Sequence, residues 1–293
     1  MRNTFIKSLI EQARLNDTIV LIVGDLGYSV VEPFAEEFPN RFYNAGICEQ
    51  NMASMSAGLA SQGFHVFIYS IANFPTFRCA EQIRNDICYH NLPVTIVAVG
   101  GGLSYGSLGY SHHAIQDIAL MRLFPEMTLL TPGDPSQTEK CLDYAILNPS
   151  PTYLRIKKSG EPTYTKSNDA LIDGKWIEIV KPKNKSIFLS ISGGLKYAIN
   201  ATNSIEKYKD FGVYSCPVWS SKSKPDQEEF LSKFDEVITI EDHLIDGGFG
   251  SWLRESIVDL NLHLRLKNKG LSHDIIGKVG SEEYLNNIGG LNF

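Results

Sequence analysis

The sequence has little cysteine and gives it no pattern. Its 293 residues contain Cys48, Cys79, Cys88, Cys141 and Cys216, an odd number without a CxxC pair or a zinc-ligand grouping. They read as small buried hydrophobes in a reducing, cytoplasmic setting. No run approaches a membrane span, and the first segment carries Lys7, Glu11 and Arg14 instead of an apolar signal core, so neither insertion nor export is expected. Basic excess is missing too: a net charge of -6 argues against general attraction to nucleic acid or an anionic membrane. There is no internal repeat. Gly100-Gly101-Gly102 and Gly106 lack the GxGxxG spacing with a following acid, so their glycines serve close backbone approach or positive φ angles rather than a dinucleotide.

With 43% apolar and 20% charged residues, the chain can fill two ordinary cores. Apolar, β-rich runs at 18–23, 65–69, 94–99, 127–130 and 152–156 alternate with segments of helical period, such as Met52, Met55 and Leu59, then Ala80, Ile83 and Ile87, then Ile115, Ile118 and Arg122. That alternation predicts a parallel sheet covered by helices. From Lys157 to Lys185 the texture turns to Lys, Pro, Ser and Gly, with Asp173-Gly174 as a hairpin signal inside an interdomain connection. A second alternating block follows, with strands expected near 186–192, 211–215, 236–241 and 262–266.

The first block also carries an ordered series of motifs. Gly24-Asp25-Leu26-Gly27 ends the first strand, and Arg41-Phe42-Tyr43-Asn44-Ala45-Gly46-Ile47-Cys48-Glu49-Gln50-Asn51-Met52 leads into a helix. Phe74-Pro75-Thr76-Phe77-Arg78-Cys79-Ala80-Glu81-Gln82-Ile83-Arg84-Asn85-Asp86, Gly106-Ser107-Leu108-Gly109-Tyr110-Ser111-His112-His113 and Pro132-Gly133-Asp134-Pro135 complete it. Together these resemble the pyrimidine-binding domain of transketolases. Ile240-Glu241-Asp242-His243 with Gly247-Gly248-Phe249-Gly250 resembles their C-terminal domain, so the resemblance covers nearly the whole chain. It implies an α/β fold with two mainly parallel sheets: a pyrimidine-binding domain over 1–156, a linker over 157–185 and a transketolase C-terminal-like domain over 186–293.

Full-length transketolases begin with a diphosphate-binding domain, whose Gly-Asp-Gly motif and downstream Asn hold a divalent metal on thiamine diphosphate. No Gly-Asp-Gly occurs in this sequence: Asp25 precedes Leu26, and Asp246-Gly247-Gly248 follows Ile245. The resemblance therefore implies a separate N-terminal, diphosphate-binding partner subunit that holds Mg2+ or Ca2+, no metal ligand in this chain, and a heterotetramer of two short chains and two partners. This chain alone is expected to be inactive.

The coenzyme works through its 4'-imino tautomer, which a carboxyl group bonded to N1' of the aminopyrimidine favours. Glu49 fits that need, against the alternative that it caps or electrostatically favours the first turn of its own helix. Phe74 and Phe77 lie where the family stacks a ring on the pyrimidine; one of them is the stacking residue, Phe77 placed first, and core packing is the alternative. Asp25, at the ligand edge of the sheet, binds the coenzyme or turns the chain. His112 aligns with the family's substrate histidine, and His113 is a second candidate beside it. Lys158, after Arg155 and Lys157, best matches the family's cation for a sugar phosphate, against a solvated linker charge.

Two departures bear on the sugar. Leu108 stands where the family has an Asp for a donor hydroxyl, and a further substrate histidine falls in the Gly100-Gly101 region. An apolar group in place of a buried acceptor weakens selection for a hydroxyl, which points to a deoxy, branched or nucleotide-linked sugar. Ketol transfer follows from the resemblance; the alternatives are a decarboxylating thiamine-diphosphate subunit and a non-catalytic scaffold subunit.

Overall fold

A computed structural model describes residues 1–158, 160–166 and 170–293; Ser159 and 167–169, within the expected linker, lie outside the described residues. Two sheets form the frame. The first holds β1 (Ile19–Val23), β2 (Phe42–Asn44), β3 (His65–Ile71), β4 (Val94–Val99), β5 (Thr128–Leu130) and β6 (Thr152–Ile156). The second holds β7 (Ile177–Val180), β8 (Ser186–Ser190), β9 (Gly212–Ser215), β11 (Glu236–Leu244) and β12 (Arg265–Leu271), while β10 (Val218–Ser220) crosses back to the first. The orders are β10-β5-β6-β4-β3-β1-β2 and β12-β11-β8-β9-β7. All pairs are parallel except β10 with β5 and β7 with β9.

The strand sequences account for this arrangement. Every residue of β1 and β4 is buried, as expected of parallel strands covered on both faces. Helices Arg2–Leu15 and Pro135–Leu147 pack on one face of the first sheet, and Glu49–Ser61 lies on the other. The expected α/β class is therefore the observed one.

Local readings differ in four places. The last strand, expected near 262–266, runs over Arg265–Leu271. Asp173-Gly174 is a turn, with Gly174 at φ +72, but no hairpin: Gly174 N donates to Val218 O, and β7 beyond it pairs with β9. The segment expected as one helix around Ile83 and Ile87 begins as α-helix at Ala80–Gln82 and widens to a π-helix over Ile83–Cys88, a distortion frequent at functional sites. Ile115 precedes the helix Asp117–Met121 instead of belonging to it.

A buried ionic seam joins the two sheets. Arg155 on β6 is fully buried and donates to Asp117 Oδ2 (2.8 Å), Asp242 Oδ1 (2.6 Å), Ser192 Oγ (2.8 Å) and the carbonyls of Ala114 and Asp242. Tyr153 donates to the same Asp117 carboxylate, and Lys157 bridges Asp242 and Glu282. Burial opposes the charge of Arg155, but Asp117 and Asp242 raise its pKa above the ordinary value.

Candidate active site at the strand ends

The C-terminal ends of β1, β2, β3, β4 and β6 open on one edge, the usual ligand edge of a parallel sheet. Glu49 opens the helix Glu49–Ser61 just beyond β2. It is 2% exposed, and its Oε2 accepts from Arg78 Nη1 at 2.5 Å, whereas the helix itself has no side-chain cap. The capping role thus has no bond behind it, and the carboxylate is turned to a residue of another segment.

From Arg78 a chain of contacts runs across the edge. Its guanidinium lies 5.3 Å from the Phe74 ring centroid, and Phe74 meets His112 edge-on at 5.3 Å. His112 meets Tyr105 at 6.4 Å, and the Lys158 ammonium stands 5.6 Å over the Tyr105 ring. Four residues singled out in the sequence, Glu49, Phe74, His112 and Lys158, are thereby brought together. Burial, then the neighbouring His113, lowers the pKa of His112, so its imidazole is neutral near neutral pH and able to donate one bond and accept another.

The other candidates are placed differently. Phe77 is 44% exposed, and Leu108 is 55% exposed on the loop between β4 and His112. His113 is buried, with Nε2 on the Gly106 carbonyl at 3.1 Å. Asp25 sits at φ +53 beyond β1, where its Oδ1 accepts from Asn44 Nδ2 and the Tyr28 hydroxyl. Among the described residues no group of three or more His, Cys, Asp or Glu is arranged to hold a metal ion.

Sequence reading did not single out the roles of Arg78, Asn73, Tyr105 or Arg2. Asn73 Nδ2 donates to the carbonyls of Ser111 and His113, fixing the loop that carries His112, while its buried Oδ1 has no partner among the described residues. The charge of Arg2 acts on Tyr105, opposing the rise that burial gives the phenol's pKa. Arg78 lies within the motif at 74–86, but its partner Glu49 is distant in sequence, which no local pattern reveals.

The sequence model of the transketolase pyrimidine-binding domain matches residues 1–162, more than half of the chain. The chain belongs to the transketolase family. This family member is 34% identical over 289 residues to a Methanocaldococcus jannaschii protein named "Putative transketolase C-terminal section", covering 97% of this chain and 90% of that one. It is 30% identical over 303 residues to one of the subunits of an apulose-4-phosphate transketolase of Phocaeicola vulgatus, covering 96% and 93%. Among solved structures, "Split gene transketolase, inactive beta4 tetramer" superposes with a TM-score of 0.85 at 29% identity over 99% of this chain and 93% of that one. The transketolase fold thus extends over both sheets of this chain. Among its described residues no helix is long and apolar enough to cross a membrane.

Proposed function

We propose that this chain is the pyrimidine-binding component of a two-subunit, thiamine-diphosphate-dependent transketolase, moving a two-carbon ketol unit from a ketose to an aldose. The observation that carries this reading is Glu49: a carboxylate 2% exposed, at the ligand edge, bonded across to Arg78. A carboxyl group so shielded from water is suited to hold a proton at N1' of an aminopyrimidine. When bound, the coenzyme supplies the carbon nucleophile for breaking and making a carbon-carbon bond beside a carbonyl.

The neighbouring residues fit an aminopyrimidine. Phe74, which touches both Arg78 and His112, offers an aromatic face and is the better stacking candidate than the more exposed Phe77. Gly24 lies beside Glu49, where a Cβ would make ordinary van der Waals contact with Glu49 Cγ at 3.6 Å. Asn73 Oδ1 and Gln82 Oε1 are buried acceptors with no partner among the described residues. Asp25 holds the end of β1 against Asn44.

His112, neutral by virtue of its surroundings, donates to or accepts from the sugar's carbonyl and hydroxyl groups. His113 meets the Gly106 carbonyl of the same loop through Nε2. Lys158, over the Tyr105 ring, supplies cationic charge for a sugar phosphate. Leu108, exposed on the same loop, offers no acceptor to a hydroxyl; it and the relative named for apulose 4-phosphate, a branched sugar phosphate, support an unusual sugar as substrate. A diphosphate-binding partner subunit completes the site, carries the Mg2+ or Ca2+, and assembles with this chain as a cytoplasmic heterotetramer, the two domains of the short chain joined through 157–185.

The test is reconstitution with that partner. Glu49→Gln is expected to lower ketol transfer by about 10²- to 10⁴-fold while the complex still assembles by native mass spectrometry. Undiminished transfer would sink the assignment of Glu49, and release of CO2 from pyruvate in place of ketol transfer would move the enzyme to decarboxylating chemistry.

A further inference from the structure

The two oxygens of the Glu49 carboxylate have different surroundings. Oε2 accepts from Arg78 Nη1 at 2.5 Å. Oε1 has no hydrogen bond among the described residues, the amides of its own helix included. Unlike Asp117 Oδ1 and Asp242 Oδ2, the unpartnered oxygens of the domain seam, it is not sealed from solvent. Only 2% of the residue is exposed, and Oε1 belongs to that remainder.

Arg78 is itself held in place. It follows the short helix Asn73–Phe77, in which Pro75 and Thr76 are buried, and precedes the buried Cys79. Its guanidinium lies over the Phe74 ring, 5.3 Å from the centroid, with 47% of the side chain exposed. Nε and Nη2 make no hydrogen bond among the described residues, so Glu49 is the one protein group that Arg78 grips there. The Cys79 thiol is pushed up to about 12, first by burial and then by the charge of Glu49. It stays neutral and brings no competing charge to the pair.

We propose that Arg78 is a positioning residue: it grips Oε2 of Glu49 and thereby presents Oε1 to N1' of the aminopyrimidine. The inference rests on the reading of Glu49 as the carboxylate partner of the coenzyme, and it deepens that reading by giving each oxygen its own partner.

The reason lies in what an ungripped carboxylate would do. An acidic side chain in the first turn of a helix is drawn to that helix's free amides, or to water. A charge-assisted bond to a planar guanidinium opposes both and fixes direction as well as distance. With Oε2 so committed, Oε1 is the acceptor left open to a ligand. Because the same guanidinium rests on Phe74, it also sets the carboxylate in relation to the ring proposed to stack on the pyrimidine. A lysine at this position would keep the charge but not the directional fork.

The experiment measures thiamine diphosphate affinity by calorimetry in the complex reconstituted with the diphosphate-binding partner. Arg78→Met and Arg78→Lys are compared with wild type, and each is repeated in the Glu49→Gln background. Arg78→Met should weaken binding by about tenfold or more when Glu49 is present, and by less than about twofold in the Glu49→Gln background, because Arg78 acts through Glu49. Arg78→Lys should lose less, about threefold, again only when Glu49 is present. Circular dichroism of the saturated complex, which separates the amino and imino tautomers of the bound coenzyme, should move toward the amino form in Arg78→Met. Equal losses in the two backgrounds would give Arg78 a direct contact with the ligand or a purely structural role, and would overturn the inference. Tighter binding in Arg78→Met would make Arg78 a competitor for Glu49, which overturns it too, as does a tautomer signal unchanged from wild type. If Arg78→Met fails to assemble, Arg78→Lys decides: wild-type affinity, or equal losses in both backgrounds, overturns the inference. A wild-type complex that assembles yet binds no thiamine diphosphate overturns the proposed function itself.

Discussion

Arg155 and Arg78 each pair with a buried carboxylate, at 2.6 Å to Asp242 and 2.5 Å to Glu49, yet their surroundings differ. Arg155 is fully buried, and its guanidinium is taken up by fixed acceptors: Asp117 and Ala114 near one helix, Ser192 after β8 and Asp242 on β11. Arg78 has a side chain 47% exposed; it reaches Glu49 with one nitrogen and otherwise lies over Phe74. A buried guanidinium whose donors are all taken holds a single arrangement, because any displacement strands a charge in low dielectric. A pair open on one side can exchange its partner for a ligand group at little cost. The contrast separates a framework at the domain seam from an adaptable surface at the strand ends.

The seam gives the largest expected effect. Arg155→Leu leaves the carboxylates of Asp117 and Asp242 buried without their shared cation, and should cost about 3–5 kcal/mol of stability, read as a shift in the denaturant midpoint. The matching change at the open edge, Arg78→Leu, strands only Glu49 and removes a half-exposed side chain, so its loss should be clearly smaller. Equal losses at both positions would erase the distinction between framework and adaptable pair.

A smaller effect is expected where the two regions touch. Gly106, on the loop that carries Leu108 and His112, rests on the C-terminal segment: Gly280 N donates to its carbonyl at 3.3 Å, and His113 Nε2 shares that carbonyl. A Cβ there would meet Gly280 O and Leu285 Cδ1, each at 2.7 Å. Gly106→Ala should therefore destabilise by about 1–3 kcal/mol through overpacking and, by shifting the loop, raise KM for the sugar. A stability loss with an unaltered KM would show that the loop moves independently of the seam.

Much of the framework is legible in the sequence, because fully apolar runs such as Ile19–Val23 and Val94–Val99 fit buried parallel strands and little else. Glu49 was legible through its motif and its place between a strand-like run and a helix. What local pattern cannot show is pairing between distant segments. The Arg155–Asp242 bond closes across 87 positions, and β10 is only three residues after Pro217, too short to announce an antiparallel addition to a sheet formed much earlier in the chain. The fit of Tyr105 against Gly100 depends on a loop conformation that residue types alone leave open. Asp173-Gly174 read as a hairpin because that dipeptide favours positive φ at Gly174, which it adopts; the strand that follows found its partner elsewhere.

The smallest prediction tests how closed the framework is to protons. Glu241 is buried beside the seam, and its carboxylate accepts from the amides of Phe249 and Gly250 at the start of the helix Phe249–Asp259. Burial pushes its pKa up to about 8, against the opposing pull of those two amides. In the unfolded chain the same group titrates near 4.5, so between these values the folded state holds a proton that the unfolded state has released. Stability from this group is thus fully present below the unfolded pKa and is lost as pH rises through the folded one. Denaturant midpoints measured from about pH 5 to about pH 9 should fall more steeply for wild type than for Glu241→Gln, which has no proton to lose. Parallel slopes would mean that the two backbone donors hold Glu241 ionised in the fold, and that the seam beside it tolerates a further buried negative charge.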